Sequence, residues 1–373
     1  MDFDLDETQT DLRELAAGLL TREATTARLE AHEKSNAPYD QAAWKALAQA
    51  GLLGVCLPEE AGGAGLGAVE LAVILREIGV RAAPLPAYPA LALAAAPIAR
   101  HGTPAQRALL GPLAEGEAIM TGAFRAPGAG DPVAAARPDG DGHVLDGVLT
   151  FVPYAAESAL VLVPARVAGA GVGVFLVEPS TLDLTPHLAA TGEPMYRIGL
   201  AGVRAGPDAL LGGTADGAAW RTLRRHAVAG AVATASGVIA GALDLTTEYV
   251  KTREQFGRAL AQFQAVTMQI SDAYIARRAL DVAMWAGVWR LAVSAEDDVD
   301  EVLAIAGYNA CDPVIRALYT CQHLHGGIGL DVTYPLHRYF AWAKHLGHLL
   351  GGAQAQLDAV GDLLAGAPAP QEG

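Results

Sequence analysis

The feature that most restricts how this chain can fold is a run of 17 residues without a charge, Ala227 to Leu243, reading A-V-A-G-A-V-A-T-A-S-G-V-I-A-G-A-L. Such a stretch has to be withdrawn from water, into a bilayer or into the middle of a fold. Ala and Gly dominate it, so it is barely apolar enough for lipid, while its small side chains allow neighbouring backbones to come close. It reads as a central helix of a globular core and not as a membrane span.

The remaining sequence divides around that helix. From Thr8 to about Glu117 apolar residues recur at spacings of three and four (Leu12-Leu15-Leu19, Trp44-Leu47, Leu71-Ile74-Leu75-Ile78), which predicts a bundle of four to six helices. Gly and Pro clusters at 58–67, 84–89 and 102–104 punctuate it. Between about Ala118 and Gly213 short β-prone runs alternate with turn residues: Val144-Leu145, Leu149 to Val152, Leu160 to Val163 and Val172 to Val177. A small antiparallel β-domain is expected there. Long helical patterns return from about Asp216, with breaks expected near Gly257, at Asp297-Asp298, across Gly326 to Pro335 and at Gly351-Gly352. The order is thus α, β, α, with domains at 1–117, 118–213 and 214–373, and the Pro-rich end from Gly366 is expected to lack structure.

The formal net charge of −15 argues against general affinity for nucleic acid or anionic membranes, since spread negative charge repels both. Three widely spaced cysteines (Cys56, Cys311, Cys321) form neither a disulfide framework nor a zinc pattern. The acidic start Met1-Asp2-Phe3-Asp4-Leu5-Asp6 is unlike a signal peptide. A cytoplasmic location is expected.

Chemistry concentrates in the last third. Tyr249-Val250-Lys251-Thr252-Arg253-Glu254-Gln255-Phe256-Gly257 is followed by Phe263-Gln264, by Gln322-x-x-His325-Gly326-Gly327-x-Gly329, and by Tyr334-Pro335 and Arg338. Singly, each has an ordinary reading. Arg253 can complement a helix C-terminus, Gly326-Gly327 can be a plain turn, and His323-x-His325 lacks the companions a metal site needs, so no metal is expected.

In combination, order and spacing resemble the FAD-binding signatures of the acyl-CoA dehydrogenase family, over nearly the whole chain. The resemblance implies an α+β architecture: an N-terminal helical domain, a middle antiparallel β-domain and a C-terminal four-helix bundle that also forms the oligomer interface. It also implies that Arg253 pairs with the pyrophosphate of FAD, and that Phe256, Gln264 and Gln322 contact its adenosine end. Gly326 and Gly327 would let backbone N–H groups approach it. Gln255, Leu260 and Gln354 complete the implied cofactor set. In the family these contacts reach across a subunit interface to a flavin seated in the neighbouring chain.

Departures from the pattern are equally informative. The family removes the substrate α-proton with a glutamate at one of two positions, which here read Leu350, in Leu349-Leu350-Gly351-Gly352, and Ala227, counted back 26 residues from Arg253. Neither side chain accepts a proton. Val228 replaces the arginine that follows the second position. Phe151-Val152-Pro153 stands for a Trp-Ile-Thr segment whose Thr bonds the flavin ring, and Arg125 to Asp131 for a phosphate loop with Asp131 at its hydroxyl position. Groups for the chain's own flavin are lost, whereas groups for a partner's flavin persist.

The chain therefore resembles the catalytically depleted subunit of actinobacterial steroid side-chain acyl-CoA dehydrogenases, which are α2β2 heterotetramers. The implied partners are a catalytically complete dehydrogenase subunit, an acyl-CoA in that subunit's site, and electron-transfer flavoprotein as acceptor. Two alternatives stand beside this reading. One is a homo-oligomeric dehydrogenase with a relocated base, for which His345, His348 and Glu248 are the candidates, and the other is a flavin-free interaction protein on the same fold.

Overall fold

The computed structural model describes residues 4–35, 37–124, 134–293 and 299–366. The uncharged run lies inside helix α8 (Ala218–Thr252), and 89% of its most apolar window is buried within the fold. Its small residues serve a close helix crossing. A Cβ added at Gly237 would overlap the carbonyl of Arg76, and one at Gly79 the carbonyl of Thr234. Both contacts are with α4 (Ala68–Arg81), so α8 and α4 touch backbone to backbone.

The N-terminal region begins with α1 (Glu7–Glu23), α2 (Thr26–Glu33) and α3 (Gln41–Gln49), ahead of α4. Asp6 caps α1 through a reciprocal bond pattern with Gln9, and Asp40 caps α3 by accepting from Ala42 and Ala43 N–H groups. After α4 a wide, π-helical stretch, Tyr88–Ala95, leads into the short helices α5 (Ala96–His101), α6 (Pro104–Ala108) and α7 (Gly111–Ala114).

Among the described residues, seven strands make up the middle sheet: β1 (Met120–Gly122), β2 (Ala135–Asp139), β3 (Gly142–Pro153), β4 (Leu160–Val167), β5 (Val172–Val177), β6 (Asp183–Leu188) and β7 (Pro194–Ala205). The pairs β2–β3, β3–β7, β4–β5 and β6–β7 are antiparallel, as expected. β1–β4 and β2–β4 are parallel, so the sheet is mixed and not purely antiparallel. The reason is that β1 and β2 share one edge of β4, at its two ends, while β5 covers the other edge.

The C-terminal region holds six helices among the described residues, two more than a four-helix bundle: α8, α9 (Gln264–Val293), α10 (Val299–Cys311), α11 (Pro313–His325), α12 (Leu336–Leu349) and α13 (Gly352–Gly366). The expected breaks at Gly257, 326–335 and 351–352 separate them. Those placed at Asp297-Asp298, and most of the Pro-rich end, lie outside the described residues. One apolar core runs from the N-terminal helices through α8 into α9–α12, and a second lies within the sheet. Arg338 of α12 ties the regions together by bonding both oxygens of Glu33 on α2.

Candidate functional site

Two helix ends converge to form the candidate site. Tyr249, near the end of α8, stacks on His325, the last residue of α11, with ring centroids 4.4 Å apart, and its hydroxyl donates to the His325 carbonyl at 3.3 Å. The imidazole is anchored in turn, Nδ1 to the Cys321 carbonyl at 2.8 Å and Nε2 to the Tyr334 hydroxyl at 3.1 Å. Burial holds its pKa below the ordinary value, so at neutral pH it is an uncharged packing element. The stack joins the two helix ends, with Arg253 four residues after Tyr249 and the Gly326 turn directly after His325.

Arg253 is the exposed C-cap of α8, and its N–H donates to Tyr249 O at 2.8 Å. A two-stranded ribbon follows, β8 (Glu254–Gln255) with β9 (Arg258–Ala259), closed by Phe256 and Gly257 at φ +53° and +77°. Positive φ at both turn residues is the twist a two-residue hairpin requires, and it is ordinary for glycine but not for phenylalanine. The Phe256 ring is 93% exposed, its one ring neighbour being Phe263 at 6.3 Å. Leu260 is half-buried, with its N–H on the Arg253 carbonyl at 2.9 Å. Gln255 and Gln264 are exposed beside it. Arg258, which the sequence motifs did not single out, places a second guanidinium here, 4.0 Å over the Phe263 ring.

At the other helix end Gly326 adopts φ +62°, ψ −139°, a conformation open to glycine alone. A Cβ added at Gly326 or Gly327 would meet no atom of this chain, so neither glycine is needed for internal packing. Half-buried Gln322 makes one long bond, to Gly329 O at 3.4 Å. Gln354 stands on α13, which packs chiefly on α10, and its amide donates to Asp358 at 2.7 Å. The hairpin and glycine turn thus present a guanidinium, a flat ring, amides and open backbone toward solvent, a donor set that fits the pyrophosphate and adenosine of a dinucleotide.

The two positions at which the resemblance expects a base lie elsewhere. Leu350 and Ala227 are fully buried in the larger apolar core, and Tyr88 donates to the Ala227 carbonyl at 3.2 Å. The interior also holds a pair that the sequence only half revealed: His345 Nε2 lies 3.3 Å from Glu193 Oε2, both side chains almost wholly buried. Burial pushes Glu193 up to about 7, against a hydrogen bond from Thr191, and pushes His345 down to about 4. Burial and the charge of Glu193 together raise the hydroxyls of Tyr88 and Tyr154. His348, by contrast, is exposed, and Glu248 is a solvated partner of Lys251 at 2.9 Å. In the sheet, Phe151 is 63% exposed at φ +56° while Val152 and Pro153 are buried. The loop Arg125 to Asp131 lies outside the described residues. No group of three or more His, Cys, Asp or Glu among the described residues could hold a metal ion.

Comparison with known proteins is decisive for the family. Residues 6–117 match the N-terminal domain of acyl-CoA dehydrogenases and residues 222–364 their C-terminal domain. The chain belongs to the acyl-CoA dehydrogenase family. It is 34% identical to acyl-CoA dehydrogenase FadE27 of Mycobacterium tuberculosis, over 99% of this chain and all of that protein. With FadE28 of the same organism it shares 36% identity over 85% of this chain and 91% of the relative. Among solved structures, a variant of the Tcur3481-Tcur3483 steroid ACAD superposes with TM-score 0.89 at 41% identity, over 96% of this chain and 98% of that one. The ChsE4-ChsE5 complex of M. tuberculosis gives 0.91 at 33% identity, over 99% and 100%. The names of both structures give two proteins.

Proposed function

We propose that this chain is the non-catalytic subunit of a heteromeric FAD-dependent acyl-CoA dehydrogenase, and that it holds the nucleotide end of a flavin seated in a complete partner subunit. The observation that carries this is a split within one chain. The hairpin and glycine turn present their donors outward with little to bind in their own protomer, while Leu350 and Ala227 sit in apolar core. The likeness to the Tcur3481-Tcur3483 and ChsE4-ChsE5 structures supports a two-protein assembly, and the steroid ACAD among them supports a bulky acyl-CoA substrate.

In this arrangement Arg253 neutralises the pyrophosphate, with Arg258 adding positive charge alongside. Phe256 covers the adenine, Gln264 and Gln322 bond the adenosine, and the N–H groups around Gly326 and Gly327 approach the phosphates. A flavin held there would supply the hydride acceptor for the acyl β-carbon, and a carboxylate of the partner would supply the base for the α-proton. This chain binds and orients, in an α2β2 complex of the cytoplasm that passes electrons to electron-transfer flavoprotein. Co-expression with a family member that has an intact glutamate should give an assembly with one flavin per two chains. Arg253→Gln should lower flavin retention about tenfold without separating the subunits. Full flavin retention in Arg253→Gln would remove this chain from the cofactor site.

The Glu193–His345 pair favours a second reading, in which the base has moved. Acyl-CoA turnover by this chain alone, abolished by Glu193→Gln, would support it; no turnover with an artificial acceptor would exclude it.

A further inference from the structure

Four arginines from three helices meet in a cleft that the flavin site does not use. Arg13 on α1, Arg76 on α4, and Arg277 and Arg278 on α9 line a hollow of about 230 Å³ whose floor carries two carboxylates, Glu77 and Asp281. In a chain with 26 basic against 41 acidic residues, such a convergence is not an ordinary solvated surface. The floor is built. Asp281, 4% exposed, accepts from Ser236 at 2.6 Å and lies within 3.9 Å of Arg76, 3.8 Å of Arg277 and 3.6 Å of Arg278. One buried carboxylate is therefore shared by three guanidinium groups. Arg76 commits Nε to Ser236 and Nη1 to Glu77, while Arg277 Nε is buried without a hydrogen-bond partner. Outside the cleft Arg277 also meets Asp244 at 3.2 Å, and Asp4 stands at the rim. Within the cleft itself four guanidinium groups are lined up with three carboxylates, Asp4, Glu77 and Asp281. Trp285 forms one wall, a flat apolar surface beside the arginines.

We propose that this cleft binds a phosphate monoester, with Arg13, Arg76 and Arg278 as donors to its oxygens and Trp285 as the surface against which an attached base lies. Guanidinium groups arriving from three helices suit a tetrahedral anion that accepts on several oxygens, more than a planar carboxylate satisfied by a single fork. The concavity between helices suits a small molecule. The proposal does not rest on the flavin-tail reading, because none of its residues belongs to the hairpin or the glycine turn.

The test is calorimetric titration of the full chain, in whatever assembly it is purified, at low ionic strength, where surface charge is least screened. The probes are sodium phosphate, adenosine 3′,5′-bisphosphate and adenosine. The two phosphate-bearing probes should bind and adenosine should not. Arg13→Gln with Arg278→Gln should weaken binding about a hundredfold, roughly tenfold for each charge-assisted hydrogen bond removed. Arg253→Gln should leave this binding unchanged. Arg278 is 57% exposed, so Arg278→Gln alone decides the matter should the double variant fold poorly, and Arg278→Lys should restore part of the affinity. Absence of phosphate binding in the unmodified chain, or binding lost in Arg253→Gln and kept in the double variant, overturns the proposal. Phosphate binding as tightly as the bisphosphate overturns the role given to Trp285.

Discussion

Phe256 is held at φ +53°, where a side chain with a Cβ costs about 1–2 kcal/mol, and its ring gains almost no burial within this protomer in return. A compensating contact outside the chain is the physical reason to keep it. Phe256→Asn, which tolerates the same backbone, should raise the stability of the isolated chain by about 1 kcal/mol in denaturant unfolding and at the same time reduce flavin retention in the assembly. A change of the same sign in both measurements would contradict the role given to this ring. The Glu193–His345 pair makes a second residue-scale prediction. Glu193 is raised, so its contribution to stability is full below its unfolded value of 4.5 and is lost as pH rises toward 7. His345 is depressed, so its contribution is present above 6.5 and is lost as pH falls toward 4. The two slopes oppose each other, so this pair's own contribution nearly cancels between about pH 4.5 and 6.5. In urea unfolding, relative to the unmodified chain, Glu193→Gln should therefore gain stability as pH rises through that window, and His345→Leu should lose it. Like slopes in the two variants would show that the side chains do not act as a buried pair. Of these residues the sequence pointed to Phe256 and His345 separately. It carried no sign of the left-handed turn beyond the Phe-Gly dipeptide, and none of Glu193, whose partner lies about 150 residues away.

Helix α8 shows why composition was a good guide to the core. Small residues are present because α4 crosses at backbone contact, and Gly237 and Gly79 are the points of closest approach. Gly237→Ala should be destabilising by about 2–3 kcal/mol, visible as a fall in Tm, since a methyl group there must push two helices apart. An unchanged Tm would mean that the crossing is looser than the structure has it. Strands β3, β4 and β5 were legible because their runs are apolar and bounded by turn residues. Strand β6 was not. It is an exposed edge strand with Pro186 inside it, and its pairing with β7 comes from the neighbour and not from its own pattern. The parallel pairings of β1 and β2 on β4 depend on chain path, which periodicity does not record. The hairpin β8–β9 is two residues a side, too short to leave any alternation, and is legible in the sequence only as a break in helix.

At the scale of the whole molecule, the outward polar groups and the positions expected to hold a base lie in different parts of the fold. The N-terminal helices, the sheet and the C-terminal helices follow the family architecture from end to end, yet Leu350, Ala227, Tyr88 and the Glu193–His345 pair are all buried in the interior. The outer rim at Arg253, Phe256, Gln322, Gly326 and Gly327 keeps the groups suited to a nucleotide. That division was visible in the sequence because it is a matter of residue identity at spaced positions. How the two helix ends are locked together by Tyr249 and His325 was not, because stacking depends on where helices separated by about seventy residues finish. The most direct test is the flavin content of the chain purified alone and together with a catalytically complete family member, measured from visible absorbance against protein concentration. A subunit that only grips its partner's cofactor retains no flavin in isolation and gives one flavin per two chains in the complex. One tightly held flavin per chain in the isolated protein would contradict that role.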